Sequence, residues 1–201
     1  MSGPSSQTGK LNKPAIRTAV YPGSFNPMHI GHLAILLALK GSGRFDRVRL
    51  VVSPKNPLKD GISADSAQIR FQAAVAAVSR YPELEDVIVD DVELSMDAPY
   101  YTVRTLEALA AAHPDESFTL AIGADSLADF PLWKEWQTIL TEYGVAVYPR
   151  EGYDLPAVAA ELMGSCPGAR IELIEAPLVD ISSSRIRAGI ENGEDMSGYM
   201  M

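Results

Sequence analysis

Cysteine is nearly absent: Cys166 stands alone, so no internal disulfide can form, which suits a reducing compartment. Basic charge is scarce too, with 17 Lys and Arg against 26 Asp and Glu and a formal net charge of −9. Such a chain repels phosphate backbones as a whole, which argues against a dedicated nucleic-acid binder. Any anionic substrate must therefore meet a local cluster of basic groups. Long apolar runs are missing; the longest, residues 33–39, falls far short of the ~18 residues a membrane-spanning helix needs. Residues 1–13 hold no apolar stretch that could act as a secretory signal, and their Gly, Pro and Ser content reads as a disordered tail. Of the 201 residues, 47% are hydrophobic and 21% charged, ordinary values for one packed domain, here residues 14–201. A cytoplasmic protein that neither crosses a membrane nor binds nucleic acid is expected.

What is present alternates. Short β-branched runs at 15–21, 48–53, 87–92, 118–123, 145–148 and 171–174 predict strands. Helical patterns lie at 31–40, 65–79, 103–112, 132–143, 155–163 and 183–191, with Asp65 a plausible N-cap of the second. Strand and helix in regular alternation predict an α/β fold, a doubly wound and mostly parallel sheet covered on both faces. Ligands of such sheets bind beyond the carboxyl ends of the strands, where the strand order reverses.

The loop after the first strand reads PGSFNPMHIGH and runs directly into a helix. His29 and His32 are three apart, so their rings can face one volume beside the free N–H groups of a helix start. Free N–H groups, a positive dipole end and two imidazoles favour an anion, most naturally a phosphate. A zinc site lacks a third ligand nearby, and neither G-x-G-x-x-G nor G-x-x-x-x-G-K-[ST] occurs. Near the end of the chain stands ISSSRIR, residues 181–187, whose serines can cap a helix and offer hydroxyls to phosphate oxygens. Arg185 and Arg187 are two apart and point to different faces, so one of them can reach that phosphate.

GSFNPMHIGH resembles the phosphate-binding loop of the nucleotidyltransferase superfamily, G-x-F-x-P-x-H-x-G-H, and ISSSRIR resembles its I-S-S-[ST]-x-I-R. With SPKNPLK (53–59), YYTVRTLEAL (100–109) and GADSLADFPLWKEW (123–136), the chain from about Ile16 to Tyr199 resembles bacterial-type nicotinate-nucleotide adenylyltransferases. The resemblance implies a Rossmann-like nucleotidyltransferase fold that joins ATP, arriving with Mg²⁺, to nicotinate mononucleotide. It implies catalytic roles for His29, His32 and Arg187. ATP would meet Gly23, Ser24, Phe25, Gly31, Gly123, Asp125, Arg150, Ile181, Ser182, Ser183 and Ser184. The pyridine nucleotide would meet Lys55, Lys59, Thr102, Trp133 and Lys134, while Trp136 reads as core and His113 as structural.

Two departures from the pattern stand out: Leu58 where many members carry His, and Arg104 where a small acidic or polar residue is common. A homo-oligomer is possible. Rival readings are an adenylyltransferase for nicotinamide mononucleotide or phosphopantetheine, and a non-catalytic nucleotide sensor. Trp133 and Thr102 favour a pyridine nucleotide, and the intact set of charge-neutralising groups disfavours a sensor.

Overall fold

The protein is described by a computed structural model covering residues 15–54 and 64–201. The expected 1–13 tail, Lys55 and Lys59 lie outside the described residues.

The short β-branched runs form the sheet, whose inner strands are covered on both faces and so bury side chains on both sides. β1 (Ile16–Gly23), β2 (Arg47–Val52), β3 (Val87–Asp90), β4 (Glu116–Gly123), β5 (Val145–Tyr148) and β6 (Ile171–Leu173) pair in parallel in the order β3-β2-β1-β4-β5-β6. The order reverses between β1 and β4. Gly23 pairs with Val52 and Gly123 with Tyr148, so the loops after β1, β2, β4 and β5 open from one edge.

One face carries α1 (Ile30–Gly41) and α2 (Ala64–Val78), through Ile35, Leu36, Leu39, Ala74 and Ala77 against Ala19, Leu50 and Val52. The other carries α3 (Thr102–Ala112) and α6 (Leu155–Ser165), through Leu106, Leu109, Ala159 and Leu162 against Val20, Leu120 and Ile122. α7 (Ser183–Glu191) buries Ile186 beside Ile181 and Met196. Among the described residues no helix is long and apolar enough to cross a membrane.

Two expectations are corrected. The single helix over 132–143 is instead the end of a 3₁₀ turn Phe130–Leu132, then α5 (Trp136–Thr138) and a π turn Ile139–Tyr143, with a separate short helix α4 (Ala124–Ala128) before them. Pro131 sits in the 3₁₀ turn and Glu135 has φ 54°, a left-handed backbone that no α-helix contains. Asp65, expected as an N-cap, lies within α2, which already begins at Ala64.

The sheet also buries charge. Arg49, on β2, donates to Asp90 at 2.7 Å and to both oxygens of Glu116 at 2.7 and 3.2 Å. Glu116 further accepts from Arg47 at 3.0 Å and from the Thr18 hydroxyl at 2.7 Å. Burial alone would raise the Glu116 carboxyl, but the Arg49 and Thr18 hydrogen bonds and the arginine charges hold it down to about 2.

Candidate active site

The first loop is shaped by a ring. Phe25 has φ 45°, a left-handed backbone that costs a bulky residue energy. Its buried side chain packs edge-on against Tyr21 and His32, with centroids 5.6 and 5.1 Å away, and this holds it there. Gly23 makes the room, since a Cβ at that position would stand 2.8 Å from the Phe25 ring. Phe25 is thus the floor of the loop, and Ser24 beside it offers its carbonyl to Arg70.

His29 is the N-cap of α1 and His32 its third residue, and their rings stack with centroids 3.7 Å apart. The His29 backbone N–H donates to Nδ1 of His32 at 3.1 Å. A neutral His32 then carries its proton on Nε2, which becomes a hydrogen-bond donor. Nδ1 of His29 is buried with no partner. Burial first, and then the Arg150 charge, bring His29 down to about 4. Burial, the His29 neighbour and Arg150 put His32 well below its ordinary value. Before any ligand arrives, both imidazoles are neutral at neutral pH. Gly31 permits the stack: a Cβ there would come 3.0 Å from the His29 ring and 3.3 Å from Ile181.

α7 is stitched onto this loop. Arg187 donates to the Asn26 carbonyl at 2.7 Å and to the Ser184 hydroxyl at 3.1 Å, and Ser183 donates to the Pro27 carbonyl at 2.9 Å. Ser182 caps α7 by accepting from the Arg185 N–H at 3.2 Å. Arg185 turns away to Asp180 at 3.1 Å, so the two arginines do diverge. The Ser183 proton is held by Pro27, whereas Ser184, as an acceptor here, keeps its own proton for a ligand.

From the β4 and β5 ends come Asp125 and Arg150, 3.6 Å apart, with Arg150 lying 5.2 Å from the Tyr148 ring centroid. Gly123, the N-cap of α4, admits this pair: a Cβ would stand 2.3 Å from Asp125 Oδ1 and 3.0 Å from Arg150 Nε. Asp125 Oδ1 and Arg150 Nε have no hydrogen-bond partner. Beneath them Tyr148 meets Tyr21 edge-on at 5.9 Å, joining the β5 end to the histidine loop.

Thr102 opens α3, whose N-cap is Tyr101, so Thr102 is not a cap. Trp133 leans on Phe130 at 4.9 Å and is half-buried, as is Trp136. Lys134 is exposed and lies 3.8 Å from Glu135. Behind α3, Glu93 is buried and accepts from the Thr105 hydroxyl at 2.7 Å. Burial raises the Glu93 carboxyl, against hydrogen bonds from Thr105 and Ser53.

Sequence reasoning did not find Arg70, Glu93, Tyr21 or Tyr148. One signal for Arg70 was there: it is the lone basic residue of α2 and shares the spacing of the buried Ala67, Ala74 and Ala77.

A family profile described as cytidylyltransferase-like matches residues 20–189. A probable nicotinate-nucleotide adenylyltransferase of Bacteroides thetaiotaomicron is 32% identical over 185 residues, covering 92% of this chain and 87% of that protein. One from Cytophaga hutchinsonii is 36% identical over 172 residues, covering 86% and 84%. The structure of Plasmodium falciparum nicotinic acid mononucleotide adenylyltransferase complexed with NaAD shares the fold, with TM-score 0.75, 19% identity and coverage of 92% and 90%.

Proposed function

The chain belongs to the cytidylyltransferase-like family, among the nicotinate-nucleotide adenylyltransferases, and we propose that its stacked-histidine loop is where the reaction of that group takes place. It transfers the adenylyl group of ATP to nicotinate mononucleotide, giving the deamido dinucleotide of NAD biosynthesis and pyrophosphate. The observation that carries the site is the stitching of the histidine loop to α7 through Arg187–Asn26 and Ser183–Pro27.

The attacking 5′-phosphate is largely dianionic at neutral pH, its second pKa being ~6, so no general base is required. The protein's task is to hold two polyanions in line and to meet the charge that grows on the α-phosphate and the leaving pyrophosphate. His32 donates from Nε2, the α1 and α7 N-termini add backbone N–H groups, and Arg187 and Arg150 add charge. Ser184 keeps a hydroxyl proton for a phosphate oxygen, and the unpartnered Nδ1 of His29 gains a proton or a donor when a phosphate arrives. Among the described residues no cluster of three or more His, Cys, Asp or Glu could hold a metal ion. Mg²⁺ arriving with ATP would offset the charge of the phosphates. Asp125 faces the ribose hydroxyls, and Trp133 and Thr102 face the pyridine.

The test is pyrophosphate release from ATP and Mg²⁺ with nicotinate mononucleotide, beside nicotinamide mononucleotide and phosphopantetheine. Release with the acid alone is expected. Equal rates with the amide would overturn the specificity, and release with phosphopantetheine alone would overturn the acceptor.

A pH consequence follows from the depressed imidazoles. In the empty protein His29 takes a proton only near 4, whereas the unfolded chain takes it at 6.5. Stability of the empty protein therefore falls as pH drops from 6.5 to about 4. Bound phosphates reverse the bias, so ATP binding at mildly acidic pH takes up protons. Titration calorimetry in two buffers of different ionisation enthalpy measures the uptake, which is expected to shrink in His29→Gln. Zero uptake in the unmodified protein would mean the imidazoles stay neutral beneath the phosphates.

A further inference from the structure

Arg70 is only 5% exposed, and among the described residues no carboxylate charge acts on it. Desolvation lowers its affinity for the proton, but a guanidinium keeps its charge in a protein. A buried and unpaired charge is expensive unless its hydrogen bonds compensate. Among the described residues those bonds all run to main-chain carbonyls: Nη1 donates to Ser24 and, at 2.9 Å, to Ser53, and Nη2 donates to Pro54 at 2.9 Å. Nε is buried without a partner.

The three carbonyls belong to two different walls of the site. Ser24 sits in the histidine loop after β1, and Ser53 and Pro54 follow β2. Beyond Ser53 the second wall continues through the buried Glu93, which accepts from the Thr105 hydroxyl at 2.7 Å on α3, the helix that Thr102 opens. The sheet's last tie between the two walls is Ser53 N–H to the Gly23 carbonyl at 2.9 Å. Arg70 is the clasp beyond it. Its planar fork suits the task, because it reaches several acceptors in fixed directions, which a single ammonium on a flexible stem does not.

Resting on the adenylyl-transfer reading above, we propose that Arg70 is a positioning residue that couples the ATP half-site to the pyridine-nucleotide half-site by clasping the Ser24 carbonyl to those of Ser53 and Pro54. Ordering one wall with its nucleotide then preorders the other. The affinities are coupled reciprocally, as thermodynamic linkage requires.

The experiment measures binding of α,β-methylene-ATP with and without nicotinate mononucleotide, and the converse, by calorimetry. In the unmodified protein each nucleotide is expected to tighten the other by about tenfold, within the usual range of such coupling. In Arg70→Lys the factor falls to about one, while circular dichroism shows a folded protein. A role confined to stability would lower the melting temperature and leave the coupling of the folded molecules intact, which would overturn the proposal. So would the absence of coupling in the unmodified protein. Should Arg70→Lys fail to fold, the Arg70 Nε resonance of the unmodified protein decides: either nucleotide alone is expected to shift it, and a response to only one overturns the clasp. Coupled binding without pyrophosphate release would sink the adenylyl-transfer reading and leave Arg70 standing; binding of neither nucleotide would sink both.

Discussion

Replacing His32 with alanine is expected to lower kcat by about 10²- to 10³-fold, the usual consequence of removing one oriented donor from a developing oxyanion. KM for ATP should change much less. The asymmetry follows from geometry. The His29 N–H fixes Nδ1 of His32 as an acceptor, which puts the proton on Nε2, and the Phe25 and His29 rings hold the imidazole on two sides. A donor held rigidly before substrate arrives contributes most where charge grows during reaction, and little to ground-state binding. Steady-state pyrophosphate release with both substrates varied separates the constants. A loss confined to KM, with turnover unchanged, would place His32 among the binding groups only.

The second large effect lies away from the chemistry. Glu116→Ala is expected to destabilise the fold by about 3–5 kcal/mol, because it leaves the buried Arg49 with only Asp90 while Arg47 and Thr18 lose their acceptor. For a chain of this size that lowers Tm by roughly 10 °C. Urea unfolding at neutral pH measures it; a loss under 1 kcal/mol would mean that water reaches Arg49 once the carboxylate is gone. The same group gives an acid dependence. Its folded pKa, about 2, lies below the 4.5 of the unfolded chain, so its contribution is complete above 4.5 and is lost as pH falls from 4.5 toward 2. Glu116→Gln should flatten that limb of the stability curve.

The sheet was legible because its central strands are apolar on both sides, and a run such as that of β5 admits few other readings. The histidine loop and the ISSSRIR segment were legible because each is compact in sequence, with chemistry concentrated in ten residues or fewer. The helix over 132–143 was misread because the helical turns after Trp136 are real, while the left-handed Glu135 cuts them off from the 3₁₀ turn that ends at Leu132. Arg49 and Arg70 escaped for a common reason. A lone arginine in a strand or a helix ordinarily marks a solvated face, and nothing local announces that its partners stand 67 or 46 residues away. The serines of α7 show a finer limit: their place at a helix start was readable, but which hydroxyl is tied to the Pro27 carbonyl depends on contacts across 156 residues.

Those long ties bear on how the molecule comes to life during synthesis. Arg187 reaches Asn26 across 161 residues, so the phosphate cradle cannot close until α7 has left the ribosome and docked. A nascent chain displays the histidine loop early but has no clamp to hold a nucleotide there. ATP then acts as a seal on the closed cradle, adding stability by mass action only to molecules in which α7 has docked. Resistance to protease in the presence of nucleotide should therefore mark molecules with α7 in place, and a chain stopped before α7 should gain none.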